Sequence, residues 1–499
     1  MSNEAPPAPG APAAVTSRLS RGTIARYTTG SLGTGGFATL PGLVLTYYLT
    51  DSLGVAALAA GAVIAIAKVW DVIIDPVIGA LTDRDRTRHG SRRRLMLIGA
   101  CALPVLFALT FAVPPSLGPA VAGIWVLVTF MLTATAFSLF QVPYIALPAE
   151  LTRRYDERTR LLTWRVVVLT FAILLFGAGG PALRRVSDDP FLQYLVMGVV
   201  CGLVIGIGML VATAVAGRAA SVPPSPIAES TTGRREVGNE PASRRPAVLS
   251  RDDGAADGGA APDGGTDAAA PGIREHFAAG IAALRRSAPF RALLGTFVLQ
   301  ALATGLMLAG AQYVATWVLH SQAAVELLFV ALIAPALLAA PAWGVVARRI
   351  GKERSFAIAS VVFAAAALSI LGVLWVPGDW IYVPVGIAGI AYAGMQSLPM
   401  AMLPDVISHD ERTNGAGRAG AFSGVWTAGE TVGFALGATT LSIILAVTGY
   451  VSSTGGQIVE QPDAAVTGIV VSFSVAPAVL IALSLLTLAR YPLRRADIE

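Results

Sequence analysis

The chain is expected to be an all-α membrane protein: twelve transmembrane helices in two six-helix bundles, with both termini cytoplasmic. Three observations point there. Of 499 residues, 55% are hydrophobic and only 13% charged, where a soluble domain carries about a quarter of its residues charged; the mean hydropathy is +0.66. Apolar stretches of spanning length, roughly 20 residues, recur twelve times. And 32 of the 36 lysines and arginines fall in the tails and loops of one side, which the positive-inside rule assigns to the cytoplasm. The net charge of +5 is therefore a topology signal, and a nucleic-acid partner is not expected.

In chain order, residues 1–22 form a tail rich in Ala, Pro and Ser, with no apolar core of a cleavable signal. Spans follow at about 24–49, 55–81, 95–113, 120–147, 161–180 and 191–216, making an N-terminal bundle over 23–217. Residues 218–272 are a different polymer, Pro/Gly/Ala/Ser/Asp-rich and nearly free of aromatics, and read as a flexible cytoplasmic linker. Residues 273–286 (IREHFAAGIAALRR) can form an amphipathic surface helix. The C-terminal bundle, to 489, takes spans at about 292–319, 324–347, 355–376, 381–403, 420–447 and 466–489, and 490–499 is a cytoplasmic tail. Cys101 and Cys201 sit in apolar runs as small core residues.

An internal repeat supports the two-bundle count. Leu147-Pro148 and Asp156-Glu157-Arg158-Thr159 after span 4 recur as Leu403-Pro404 and Asp410-Glu411-Arg412-Thr413 after span 10. Gly79 to Asp83 after span 2 is echoed by Gly344 to Arg348 after span 8. A six-span unit used twice in parallel is what two halves related by an axis along the membrane normal require.

The chemistry concentrates in span 2. Lys68, Asp71 and Asp75 stand at i, i+3 and i+7, on one face of a helix. Each charge costs about 2.5 to 3.5 kcal/mol at the centre of an inserted helix, and such residues mark ion or substrate pathways. Two carboxylates one turn apart repel when ionised, so one holds a proton or both share a cation. Asp71 and Asp75 are thus the candidate coupling site for H⁺ or Na⁺, with no other metal and no cofactor expected. Lys68 is either a structural counter-ion or a charge released on cation binding; Gln141 in span 4 either serves that site or substrate, or bonds a neighbouring helix.

Substrate contacts are expected from Arg165, Gln141, Tyr144, Gln300, Tyr313, Gln396, Trp426 and Glu430, polar or aromatic positions inside spans. Arg165 lies about 10 Å deeper than Arg158 along its helix; it either offers a planar fork to hydroxyls or a carboxylate or is a gate residue near the cytoplasmic mouth. Asp83, Arg84, Glu150, Arg154, Arg348, Asp405 and Arg418 rim the cytoplasmic ends as gating salt bridges that would stabilise an outward-open state. Tyr47, Tyr48, Trp317 and Trp380 read as interfacial aromatic anchors.

Two six-helix bundles joined by a cytoplasmic linker are the layout of the major facilitator superfamily. Asp71 to Gly79 (DVIIDPVIG), with Arg88-His89-Gly90 beyond it, resembles the glycoside–pentoside–hexuronide:cation symporter family. So do Tyr47 to Asp51 (YYLTD), Glu157-Arg158-Thr159, Met402 to Val406 (MLPDV) and Gly424 to Thr427 (GVWT). The resemblance implies a cation site at Asp71 and Asp75. Ile74 replaces the polar residue common before the second carboxylate, and Gln141 stands where a span 4 carboxylate is found in the family. Gly35 and Ile145 fall at the family's sugar-contacting positions, Arg165 at a retained arginine, and Thr431, beside Glu430, at a lysine.

The function these features imply is cation-coupled symport of a small organic solute such as a sugar or glycoside, by alternating access, in a multi-pass plasma (inner) membrane protein working as a monomer. The apolar replacements keep open an exporter or carrier of a lipid-like or drug-like amphiphile. An enzyme is not expected: there is no nucleophile–base motif, metal-ligand spacing or phosphate loop.

Overall fold

The computed structural model describes residues 18–152, 155–219, 282, 284–414, 419–455 and 459–493; the linker, most of the surface helix and the extreme tails lie outside them, as do Arg154 and Arg418. The described residues form thirteen α-helices that account for twelve spans. The N-terminal half comprises α1 (Arg21–Tyr47), α2 (Ala57–His89), α3 (Arg93–Thr110), α4 (Pro119–Leu151), α5 (Tyr155–Leu183) and α6 (Pro190–Ala219). The C-terminal half comprises α7 (Ala288–Tyr313), α8 (Ala324–Ile350), α9 (Lys352–Ser369), α10 (Tyr382–Asn414), α11 (Ala419–Val447), α12 (Asp463–Phe473) and α13 (Val475–Leu488). Eleven of the spans are long and apolar enough to cross a membrane; α1, diluted by Gly and Thr, matches them in length with 27 residues.

Local sequence explains the departures from the expected boundaries. Span 2 does not end at residue 81. The helix runs on to His89, because nothing in Thr82–His89 breaks it, and stops at Gly90, whose φ of +69° is the left-handed cap position where glycine is favoured. Asp83, Arg84, Arg86 and Arg88 therefore stand on a helix that extends past the apolar slab, not on a loop. The same holds for α4 and α10, which continue to Leu151 and Asn414. The last span is broken at Ser474. Pro477 lacks an N–H for the Phe473 carbonyl and its ring crowds that oxygen, so an uninterrupted helix is excluded.

The duplication is visible in backbone detail. Spans 1 and 7 each end in a π-helical turn, Tyr48–Ser52 and Val314–Val318. In both, the next amide reaches back five residues, Leu53 N to Tyr48 O at 3.1 Å and Leu319 N to Val314 O at 3.0 Å.

The halves meet through α1–α7, α2–α11 and α5–α8. The close approaches lie toward the end away from the termini, called distal below: Gly42 against Leu308, Gly61 against Ser442, and Gly177 against the Phe329 ring. There the strap from Tyr450 to Gly455 crosses the end of α1, with Ser453 N on Thr50 O at 2.9 Å and Gly455 N on Ser52 O at 3.0 Å. At the proximal end, which bears the termini, the ion pairs of Arg86, Arg92 and Lys352 each stay within one half. The structure is sealed distally.

Packing within each half relies on small residues that let backbones touch. A Cβ on Gly389 would lie 2.0 Å from the Leu332 carbonyl oxygen of α8, whereas one on Gly424 would meet nothing within 4 Å. Overpacking costs about 1–3 kcal/mol where side chains can yield, and a backbone carbonyl yields less. Gly389→Val is therefore expected to lower the thermal unfolding midpoint of the detergent-purified protein by several degrees or abolish its monodisperse peak, while Gly424→Val leaves both unchanged.

Candidate functional site

The span 2 charges come together as their spacing requires. Lys68 Nζ donates to Asp71 Oδ2 at 3.0 Å, and its ammonium lies 5.8 Å from the ring centres of both Phe37 of α1 and Phe130 of α4. This cation–π enclosure holds Lys68 in place without adding a second anion. Asp71 is buried, and its other oxygen, Oδ1, has no hydrogen-bond partner. One turn on, Asp75 accepts from Ser138 Oγ of α4 at 2.5 Å and is exposed on the proximal side of the sealed end. Pro76 follows directly within the helix, so the Val72 carbonyl is deprived of its usual N–H partner. The cluster thus gathers a carboxylate with a free lone-pair face, a second solvent-reached carboxylate, a hydroxyl and a freed carbonyl, with one fixed cation.

Gln141 lies close by in sequence on α4, but its amide oxygen accepts from Thr34 Oγ1 of α1 at 2.8 Å. It ties α1 to α4 in this conformer. Thr34 and Ser138 were not among the expected site residues. Single hydroxyl residues in apolar helices carry no sequence signal that separates a ligand from a helix-packing contact.

The expected substrate contacts divide into two groups. Gln300, Thr304, Tyr392 and Gln396 line one cleft with Phe297 and Phe434 in the C-terminal half. Gln300 Nε2 is spent on Ser360 at 2.9 Å and Ser484 at 3.1 Å, leaving its Oε1 unpartnered; Gln396 Nε2 donates to Tyr392 Oη at 2.6 Å. Trp426 stacks on Phe297 at 4.2 Å between centroids, with Nε1 buried and unpartnered. Glu430, one turn along α11, is half-buried and within electrostatic reach of Tyr392. Arg165 places its guanidinium 5.3 Å from the Tyr144 ring centre, and no ion pair with a carboxylate forms at it among the described residues.

Tyr144 and Tyr313 are both buried in contacts between helices. Tyr144 is fully buried, donating to the Tyr27 carbonyl at 3.0 Å and bonding Ser31 at 3.1 Å; it packs α4 on α1. Tyr313 is buried in the distal closure, 2.7 Å from Thr50 Oγ1. The aromatic-anchor expectation also needs correcting. Tyr47 is buried against the Tyr313 ring of the other half, Tyr48 is buried on Phe111 and Tyr194 within the N-terminal half, and Trp317 donates to Tyr450 at 2.8 Å, so these three rings pack inside the protein.

Of the proximal charges, Glu150 takes Arg92 at 2.9 Å and Arg86 at 3.0 Å, Asp83 takes Arg92 at 2.8 Å, and Asp405 takes Lys352 at 2.5 Å. Arg84 and Arg348 are exposed. Lys352 and the distal acid Asp51, described below, were missed by sequence reasoning.

Comparison with known proteins decides the family. The family model described as MFS/sugar transport protein matches residues 26–243 and 274–495, which is both halves. The chain belongs to that family. It is a multi-pass membrane transporter, related to proteins named as symporters. An uncharacterized symporter of Synechocystis sp. is 26% identical over 94% of both chains. The glucuronide carrier protein homolog of Escherichia coli is 30% identical over a shorter stretch, 34% of this chain and 38% of that protein. Among solved structures, a D-xylose-proton symporter superposes with a TM-score of 0.61, covering 94% of this chain and 98% of the other at 14% identity. That likeness is one of fold, and it confirms the two-bundle arrangement of the transporter.

The Lys68–Asp71 pair has a testable energetic signature. Removing one member of a buried pair strands the other charge, which costs more than losing both. With both side chains largely shielded (26% and 12% exposed), Asp71→Ala is expected to destabilise the transporter by about 1–3 kcal/mol and Lys68→Met/Asp71→Ala by less than the sum of the single changes. Thermal unfolding of the four proteins in one detergent checks it.

Proposed function

We propose that this transporter couples inward movement of a sugar or glycoside bearing an anionic group to a proton taken up at Asp75, with Asp71 and Lys68 as its fixed partner pair. The observation that carries the reading is the division of labour in span 2. Lys68 already neutralises Asp71, so Asp75 is the one carboxylate of the pair that is both accessible and without a cation. A proton suits this site better than Na⁺, because Lys68 already compensates the Asp71 charge and a proton needs no cage of ligands. Gln141 and Ile74 supply no further oxygen to build a cage, Gln141 being bonded to Thr34.

Arg165 supports the anionic substrate: a cation within the bundle that has no carboxylate partner among the described residues is suited to a bidentate carboxylate or sulfonate. The glucuronide named for the E. coli relative has that chemistry. The neutral cleft of Gln300, Thr304, Tyr392 and Gln396 offers donors and acceptors to hydroxyls across the cavity. The lysine and arginine distribution favours cytoplasmic termini, which makes the sealed distal end extracytoplasmic and this conformer open inward. Glu150 and Asp405, paired within their halves here, are the groups free to re-pair across the proximal end when it closes.

Gradient-driven uptake in proteoliposomes tests the reading. Accumulation of a hexuronide or glycoside is expected under an inward pH gradient and not under an Na⁺ gradient alone. Asp75→Asn should abolish accumulation while keeping substrate counterflow, and Arg165→Lys should raise the half-saturating concentration of the anionic sugar about tenfold or more, with little change for a neutral one. Full accumulation by Asp75→Asn, or transport restricted to lysolipid-like amphiphiles, overturns it.

A further inference from the structure

The cleft of the C-terminal half is short of hydrogen-bond donors. Gln300 of α7 is 3% exposed and spends both amide hydrogens, on Ser360 and Ser484, so what it presents is a buried Oε1 with no partner. Thr304, one turn on, directs its hydroxyl hydrogen at the backbone carbonyls of Gln300 and Ala301, at 2.9 and 3.1 Å, and is left able only to accept. On α10, Gln396 donates to Tyr392 Oη, and its own Oε1 has no partner among the described residues. The donors left over are the Tyr392 hydroxyl hydrogen and the second Gln396 amide hydrogen. Trp426 Nε1 is also unpartnered, but that side chain stacks on Phe297 without lining the cleft.

An acid stands beside these acceptors. Trp426, Glu430 and Phe434 are spaced i, i+4 and i+8 on α11 and form one stripe. Phe434 lines the cleft and Trp426 packs on its Phe297 wall, so Glu430, between them, lies on the same side of the helix. Gly433 seats this stretch on α7: a Cβ there would come within 2.6 Å of the Ala301 Cβ, another residue of the lining. Glu430 is half-buried, makes no hydrogen bond or ion pair among the described residues, and is within electrostatic reach of Tyr392. The cleft itself is narrow. It is walled by the rings of Phe297, Phe434 and Tyr392 and has room for a group about the size of a water molecule.

We propose that this cleft is a subsite for a primary ammonium group, with Glu430 as its counter-ion. The inference rests on the anionic-sugar reading above and deepens it: the solute carries an amino substituent on the body held by the C-terminal wall, besides the acidic group held by Arg165. An ammonium has three hydrogens to give and no lone pair to satisfy, which matches Gln300 Oε1, Gln396 Oε1 and Thr304 Oγ1. The surrounding ring faces attract a cation. A hydroxyl of the same size gives one hydrogen and leaves the Glu430 charge uncompensated inside the bundle. The same chemistry rejects the near relatives of an amine. An N-acetyl group has lost the charge, and a quaternary ammonium keeps the charge but has no hydrogen to donate. The two ends of one zwitterionic solute then match Arg165 and Glu430 together.

Transport by the full-length protein in proteoliposomes at about pH 6, where a sugar amine is charged, tests it with four probes built on one ring. They are a hexuronate, the same sugar with a primary amine in place of the hydroxyl next to the anomeric carbon, and the N-acetyl and N-trimethyl derivatives of that amine. The amine is expected to half-saturate transport at a concentration about tenfold or more below the other three. In Glu430→Gln, which keeps the shape of the side chain and removes its charge, that preference should fall to about twofold or less. Thr304→Val should narrow it severalfold, and the four probes on the unsubstituted transporter decide the matter if neither variant folds. Any of the other three handled as well as the amine, or a preference that survives in folded Glu430→Gln, overturns the proposal and leaves the anionic-sugar reading standing. No transport of any of the four overturns both. Loss of pH-driven accumulation of every probe in folded Glu430→Gln makes Glu430 a proton site, and thermal stabilisation by Na⁺ alone that disappears in this variant makes it a metal site; either result overturns the ammonium assignment.

Discussion

Neutralising charge inside an apolar slab is the constraint on which the rest of this structure depends. Three ionisable groups on one face of α2 would each cost about 2.5 to 3.5 kcal/mol if turned to lipid. The face must therefore point inward, and with it the whole helix is fixed in rotation: Val69, Ile73 and Val77 become the exposed set. Lys68 is satisfied twice, by the Asp71 carboxylate and by the flanking Phe37 and Phe130 rings. Asp75 is satisfied by one serine and by solvent. The result is a pair that stays put beside a group that can change state.

The distal closure obeys the same constraint with different means. It buries an acid, Asp51, and a base, Arg184, without pairing them, wrapping each in phenols and amides contributed by both halves. Such a joint holds only while the halves touch, since Asp51 loses Tyr450 and Arg184 loses Gln312 when the opposite half departs. Proximal ion pairs such as Arg92 with Glu150 and Lys352 with Asp405 are local to one half and place no bond across the proximal opening in this conformer. The two ends therefore differ in kind: one is fastened across the halves, the other is braced within each.

Much of this was legible in the sequence, because it follows from periodicity and cost. Span number, the inward stripe of Lys68, Asp71 and Asp75, and the duplication all come from patterns longer than ten residues. Helix ends were less legible: Asp83 to Arg88 is polar but contains no breaker, so a hydropathy boundary at residue 81 marks the edge of the slab and not of the helix. The aromatic residues at the ends of spans 1 and 7 misled for a related reason. Tyr and Trp are favoured both at the lipid interface and in protein joints that need a ring with one polar atom. Only the fold reveals that Thr50, Asp51, Tyr313 and Tyr450 share one site, with Asp51 402 residues from the Ser453 hydroxyl that bonds its carbonyl. Thr34 and Ser138 were invisible because one hydroxyl in an apolar helix looks like any other.

The two halves also divide the chemistry, and that division bears on how coupling arises. Ionisable groups at mid-membrane in the N-terminal half include Lys68, Asp71, Asp75 and Arg165, whereas the cleft of the C-terminal half presents amides, hydroxyls and rings, with Glu430 its nearby acid. On the proposed mechanism the C-terminal wall recognises the neutral body of the solute, and the N-terminal wall sets the charge condition for movement. Closing the proximal end over an ionised, uncompensated Asp75 would cost on the order of 2.5 to 3.5 kcal/mol, a factor of about a hundred in the population of the closed state. A proton on Asp75 removes that term, and an anionic solute on Arg165 removes the matching one on the opposite sign. With both aboard, or with neither charge exposed to the closing slab, the halves are free to rock. With one alone the mismatch remains, and that mismatch, more than any single contact, is what would tie the solute to the ion.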